Sequence, residues 1–348
     1  MKRNFKLILL LAVSLSLILT SCESIQTNPV ESQDFNIMGT IILQKIYGKN
    51  AEQADKEVIT RCKEIEKSMT INAAGSEIDT LNEAAGKKAV KVSADSLNLM
   101  HTAKKYSELS TGAFDITVGP LVKAWGIFTD HHRIPDQKEI NGLLGLVDDR
   151  SLTLDNKAMT AKLEKQGQIV DLGGIAKGYA GDEAIKIYKK YGIKSAYVNL
   201  GGNVVVIGHK PDDSPWKIGV QNPRDVNGKY IGILQVSDKA VVSSGDYERF
   251  FIENDKRYHH IIDPKTGYPA DSGLMGTTII ADKSTDADAL STSVFVLGLE
   301  KGMKLIESLD GVEAVFITSD KKVYTTKGLK GVFTFEDESK EFNYVEKR

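Results

Sequence analysis

Gln168-Ile169-Val170-Asp171-Leu172-Gly173-Gly174-Ile175-Ala176-Lys177-Gly178-Tyr179 runs from apolar, β-branched residues through paired glycines into a helix-like continuation. The spacing predicts a strand over 168–172 and a helix over 175–191. A glycine turn between strand and helix aims free backbone N–H groups at an anion. The stretch is neither common phosphate motif: Tyr179 stands where a P-loop needs lysine, and the glycine spacing does not fit G-x-G-x-x-G. A plain tight turn would use the same glycines; Asp171 and Lys177 beside them favour a site.

Outward from that turn, strand-like and helix-like stretches alternate. Strands are expected at 41–47, 196–200, 204–208, 217–221, 231–236, 240–243, 249–253, 277–281, 314–318 and 322–325. Helices are expected at 51–67, from the N-cap Ser93 to about 110, at 285–299 and near 302–309. Without repeats or a Pro/Ser-rich divider, the fold class is α+β: a single compact body over 35–348, with mixed and antiparallel sheets and packed helices. The 348 residues carry a net charge of −2 without a basic cluster, which argues against a nucleic-acid partner. Cys22 and Cys62 are the only cysteines, which excludes a disulfide framework and a cysteine-built metal site.

At the start of the chain, Lys2, Arg3 and Lys6 precede an apolar run over 7–19, the pattern of a signal peptide and too short for a membrane span. Leu19-Thr20-Ser21-Cys22 resembles a bacterial lipobox. On that reading 1–21 is removed, and Cys22 carries acyl chains such as palmitate. The protein is then an extracytoplasmic lipoprotein on the bacterial membrane, held by a polar, flexible tether over 22–34. A plain signal peptide with an incidental cysteine is the other reading.

Two further segments carry chemistry. In Thr285-Asp286-Ala287-Asp288-Ala289-Leu290-Ser291-Thr292, Asp288 and Thr292 are four apart, so their oxygens share one helix face and could serve a hard cation such as Mg²⁺. Acids answering the helix dipole explain the same spacing. In His259-His260-Ile261-Ile262-Asp263-Pro264-Lys265-Thr266-Gly267, the Asp-Pro opens a turn that Gly267 closes. Adjacent histidines on a strand face opposite ways, so one of them at most serves a given site, and His260 is the candidate.

Seven blocks, namely Met38–Thr40, Thr111–Leu121, Asp171–Ala180, Asn199–Asn203, Ser243–Tyr247, His260–Gly267 and Asp286–Thr292, stand in the order found in the ApbE family of FAD:protein FMN transferases, which this chain resembles over nearly its whole length after the tether. The resemblance implies an α+β fold with FAD in an elongated cleft, and Mg²⁺-dependent transfer of the FMN half of FAD to a threonine hydroxyl of a partner flavoprotein, releasing AMP. It implies as acceptor a subunit of a membrane electron-transport complex. It places Met38, Ala113, Phe114, Asp115, Asp171, Lys177, His260 and Ile262 on FAD, and Gly174, Asp288, Thr292 and the Ser291 region on the metal. His260 is implied beside the pyrophosphate; His260 and Asp171 are rival bases.

Asn72 departs from the pattern. Many family transferases carry an aromatic residue where Asn72 aligns, covering the nucleotide. A small amide there raises FAD hydrolysis to FMN and AMP as an alternative activity. A non-catalytic flavin-binding lipoprotein is the alternative from another class.

Overall fold

The computed structural model describes residues 28–225 and 228–346. The basic start, the apolar run and Cys22 lie outside the described residues. Within them, strands β1 (Val30–Ile37), β2 (Thr40–Tyr47), β6 (Ser195–Leu200), β7 (Asn203–Ile207), β10 (Ala240–Gly245), β13 (Leu274–Ala281), β14 (Glu313–Thr318), β15 (Lys322–Thr325) and β17 (Asn343–Tyr344) form one sheet, ordered β1-β2-β6-β7-β10-β13-β14-β15-β17. Its pairings are antiparallel except that of β15 with β17. Each residue of β7 and β13 is buried, because both faces of the sheet are covered.

On one face lie the long helices α1 (Ala51–Met69), α3 (Ala94–Leu109), α6 (Ala176–Lys190) and α7 (Ser284–Glu307); the short α2 (Glu77–Glu83) follows α1. Helix α1 packs on α6, α6 on α7, and α7 on β10 and β13. Ser93 caps α3 as expected, its Oγ accepting the Ser96 N–H at 3.2 Å. On the other face, Val204, Val206, Val241, Ile280 and Ile317 meet Trp216, Ile218, Ile231 and Leu234 from a small sheet of β8 (Trp216–Gln221), β9 (Tyr230–Val236) and β16 (Phe333–Phe335). A third cluster joins α4 (Gly119–Trp125) and α5 (Gln137–Leu144) to the hairpin β11 (Phe250–Glu253)–β12 (Lys256–His259) through Leu121, Trp125, Ile140, Phe251 and Ile262. A further small sheet is ordered β3 (Val90–Lys91)-β5 (Thr160–Leu163)-β4 (Leu152–Asp155).

Three expectations change. The 168–172 strand is absent: Ile169 makes a single bridge to Val118. The neighbouring backbone is satisfied differently, with Val170 bonded through both N–H and C=O to the Asn82 side chain and Asp171 N–H to Ile116 C=O at 2.7 Å. The end of the polar 22–34 stretch is not loose chain, since 30–34 begins edge strand β1, where polar side chains suit the solvent. The two helices expected over 285–309 run as one element broken at Gly298, whose φ of +78° a side chain rarely adopts.

Candidate functional site

Helices α6 and α7 meet through glycine. A Cβ on Gly178 would fall 2.4 Å from the Ser284 carbonyl oxygen and 2.6 Å from Asp288 Cβ, so this approach is open to glycine alone. The contact delivers the Gly178 N–H to Asp288 Oδ2 at 2.8 Å, and Lys177 Nζ lies 3.8 Å from Asp288 Oδ1. Asp288, 3% exposed, therefore ties the start of α6 to α7 and faces a cationic side chain. The Gly173-Gly174 turn is pinned by Asp171, whose Oδ1 accepts the Gly173 N–H at 2.9 Å. Desolvation raises the Asp171 carboxyl above its ordinary range.

Thr292 lies one turn beyond Asp288 on α7, half-buried, and a Cβ on Gly174 would fall 3.7 Å from its Oγ1. The same construction on Gly174 reaches Phe114, whose buried ring backs the glycine turn at 3.2 Å. Asp288, Thr292 and Gly174 thus form an oxygen-only set suited to a hard cation. No group of three or more His, Cys, Asp or Glu side chains that could hold a metal occurs among the described residues. The hydroxyl of Ser291 is buried, donates to Asp288 C=O at 2.8 Å and shares a 2.7 Å contact with Ser244 Oγ, while Thr277 Oγ1 bonds its carbonyl. Ser291 braces α7 against β10 and β13.

Met38 occupies a two-residue turn with Gly39, at φ +54° and +67°, closing the β1–β2 hairpin. Methionine rarely adopts that conformation, and Glu66 of α1 holds it by accepting the Met38 N–H at 2.9 Å. Asp115 is committed elsewhere: its carboxylate accepts from Thr117 N–H and Oγ1, both at 2.7 Å, and from Asp149 N–H. Burial pushes that carboxyl up. A cleft of about 660 Å³ runs beside Thr111, Gly112, Asp115, Asp149 and Lys265. It does not include Lys177 or Asp288, so it is not by itself a reaction centre. Ala113 is buried, the Ile262 side chain belongs to the Trp125 cluster, and Asn72 is exposed, its N–H on Thr70 Oγ1.

The two histidines separate as expected. His259 is buried with Nε2 at 3.0 Å from Ala270 C=O and its ring edge-on to Phe295. His260 is half-buried against Phe128, with Nδ1 at 3.3 Å from Arg249 C=O. Desolvation first, then the charges of His259 and Lys177, bring the His260 ring down to about 3. It is a neutral imidazole at physiological pH. The turn that follows is the expected one, with Gly267 N–H on Asp263 C=O at 2.9 Å.

Three contributors carried no signal specific enough to read from sequence. Ser244 reaches Ser291; Arg249 reaches Gly39 C=O at 2.8 Å, joining the Met38 turn to His260. Glu248 stands in the field of Lys177 and Asp288, its carboxyl raised by desolvation and by Asp288 against the pull of Lys177. All three lie in or directly after the block Ser243–Tyr247, to which sequence reading gave no role.

The sequence model of the ApbE family matches residues 38–316. A protein of Klebsiella pneumoniae named FAD:protein FMN transferase is 36% identical over 85% of this chain and 92% of its own length. One of the same name from Treponema pallidum is 36% identical over 84% and 86%. Among solved structures, the ApbE protein of Thermotoga maritima superposes with a TM-score of 0.82 at 33% identity, covering 88% of this chain and 99% of its own. The flavin transferase ApbE of Vibrio cholerae gives 0.79 at 28%, with the same coverage. With a match that spans the glycine turn, the Met38 hairpin, His260 and Asp288 together, this chain belongs to the ApbE family.

Proposed function

We propose that this protein is a Mg²⁺-dependent FAD:protein FMN transferase that moves the FMN half of FAD onto a threonine hydroxyl of a partner flavoprotein and releases AMP. The observation that carries the reading is Asp288, which grips the start of α6 at Gly178 while facing Lys177, with Thr292 and Gly174 alongside. That arrangement gathers cationic charge and oxygen ligands where a pyrophosphate needs both. Asp288, Thr292 and Gly174 would hold Mg²⁺, which supplies neutralisation of pyrophosphate oxygens.

The chain's own residues do the rest. Lys177 pairs with a phosphate oxygen, and Asp171 keeps the glycine turn in place. His260, neutral, takes the proton as the threonine oxygen attacks the flavin-side phosphorus. The new bond joins that phosphorus to threonine; the bond broken is the one from the same phosphorus to the bridging oxygen, which leaves with AMP. We further propose that Cys22 anchors the enzyme to the outer side of a bacterial membrane, beside an acceptor belonging to a membrane electron-transport complex. Co-expression with candidate acceptors and mass spectrometry for FMN on threonine tests the transfer; AMP without any modified protein would leave hydrolysis in its place.

The depressed His260 ring fixes a pH dependence. Its unfolded value is near 6.5 and its folded value about 3. Between these the unfolded chain binds more protons, so stability falls as pH drops from 6.5 toward 3. If His260 is the base, kcat/KM for FAD shows no acid limb near 6.5 and stays level down to about pH 5. A limb at 6.5 that persists in His260→Gln would assign the base elsewhere.

A second activity follows from Asn72 standing where many family transferases carry an aromatic residue. Asn72 is on the loop after α1, and with a small amide there in place of a covering ring, water would reach the phosphorus and hydrolyse FAD slowly without acceptor. Asn72→Tyr is expected to suppress acceptor-free AMP release several-fold or more while threonine modification continues. Equal acceptor-free AMP from both enzymes would remove Asn72 from the partition.

A further inference from the structure

Two sequence blocks that the transfer chemistry leaves without a role, Asn199–Asn203 and Ser243–Tyr247, together bring one further charge to the reaction centre. Gly201 and Gly202 make the turn between β6 and β7, and the Gly201 N–H bonds Ile41 C=O at 3.2 Å, which seats the turn against the Met38 hairpin. A Cβ on Gly202 would fall 3.4 Å from Glu248 Oε1, so the carboxylate just beyond the second block lies on this turn. Glu248 is exposed, yet protein atoms crowd its carboxyl closely enough that desolvation is the first cause raising it above the ordinary carboxylate range. A group that is both reachable and crowded lines a recess. Lys177 and Asp288 act on it across that recess, and Arg249 does so from the next position in the chain.

These charges cancel. Lys177 is answered by Asp288 at 3.8 Å, and Arg249, whose Nη2 donates to Gly39 C=O, is answered by Glu248. The two carboxylates differ in what holds them. Asp288 accepts the Gly178 N–H, whereas the Glu248 carboxylate has neither a hydrogen bond nor an ion pair within 4 Å among the described residues. A charge without a local bond acts on whatever enters the recess. Across about 9 Å, even at the dielectric of water, one unit charge shifts the affinity for a doubly charged ion by roughly fivefold.

We propose that Glu248 selects what enters the empty centre: its carboxylate repels the pyrophosphate of uncomplexed FAD and attracts the divalent cation, so that the enzyme loads the cation first and holds FAD weakly without it. The proposal rests on the transferase reading, which supplies the pyrophosphate, and deepens it by naming the residue that sets the order of loading. Both effects are one interaction acting on opposite charges. What Glu248 takes from the affinity for FAD it adds to the affinity for Mg²⁺, and the complete FAD–Mg²⁺ complex, its pyrophosphate charge neutralised, is held equally well with or without it.

The probes are FAD and Mg²⁺, each alone, on full-length enzyme at alkaline pH, where the carboxylate is ionised. Glu248→Gln removes the charge at an exposed position with no hydrogen bond to lose. FAD affinity in EDTA, read by flavin fluorescence, is expected to rise roughly fivefold or more at low ionic strength and to return to within about twofold of the parent in about 0.5 M NaCl. Mg²⁺ affinity of the flavin-free enzyme, read by calorimetry, is expected to fall by a similar factor. Glu248→Asp keeps the charge and should match the parent in both measurements. An FAD affinity in EDTA that is unchanged or weaker in Glu248→Gln would overturn the proposal. So would an equal gain in Glu248→Asp, which would assign the effect to shape. Loss of Mg²⁺ binding by about a hundredfold or more, with no gain for FAD, would make Glu248 a ligand of the cation instead. A parent that neither binds FAD nor releases AMP strikes the transferase reading itself, whereas a parent that does both beside an indifferent Glu248→Gln strikes only the selector.

Discussion

On the proposed function, Asp288→Ala is expected to lose Mg²⁺-dependent AMP release by roughly 10³-fold or more, because one substitution removes the carboxylate that would hold the metal together with the partner of Lys177. The same change has a cost to folding that exceeds a lost helix cap. Asp288 is buried, and its Oδ2 is the acceptor for the Gly178 N–H, so alanine leaves a buried donor unpaired at about 1–3 kcal/mol. Asp288→Asn separates the two effects. Its amide oxygen still accepts the Gly178 N–H, so the urea midpoint should lie near that of the parent, while the lost charge abolishes activity as in alanine. FAD cleavage by Asp288→Asn at the parent rate with parent Mg²⁺ dependence would refute the ligand assignment.

What the sequence revealed, and what it hid, follows from the range of the interactions. Helices α1, α3 and α6 were legible because each has apolar residues at helical spacing, and α3 begins at a capping serine. The glycine turn was legible as a turn. Its preceding strand was misread because Ile169 and Val170 favour a strand locally, while Asn82, distant in sequence, supplies the partner that a neighbouring strand would have given. Edge strand β1 was hidden by its polar composition, which is how an edge with one solvent side is written.

The site was half legible for the same reason. Asp288 and Thr292 announce a shared helix face through their spacing, and strand alternation says that His259 and His260 cannot both serve one site. Neither pattern says that Gly178 receives Asp288, since nothing local links positions so far apart in the chain. Glu248 and Arg249 were invisible as site residues because their meaning comes from Lys177, Asp288 and Gly39, three segments that the sheet assembles. Asp115 stands within a block that the resemblance assigns to FAD, and its carboxylate accepts hydrogen bonds from Thr117 and Asp149, partners that the sequence alone does not reveal.

Gly178→Ala is the sharpest test of the claim that the site is built on a glycine contact. In an open helix position this substitution stabilises, because glycine is about 1 kcal/mol worse than alanine. Gly142, inside α5 with nothing within 4 Å of an added Cβ, is such a position, and Gly142→Ala should gain about 0.5–1 kcal/mol. At Gly178 the added carbon meets a backbone carbonyl oxygen at 2.4 Å, which cannot rotate away as a side chain would. Relief requires α6 and α7 to separate, at an overpacking cost of about 1–3 kcal/mol or more, which outweighs the propensity gain. Separation also stretches the Gly178 to Asp288 hydrogen bond and withdraws Lys177 from Asp288, so AMP release should fall together with the urea midpoint. The two alanines therefore move stability in opposite directions from the same chemical change. A Gly178→Ala enzyme as stable and as active as the parent would show that the helices tolerate a methyl group between them, and that Asp288 is held in place by something other than their close approach.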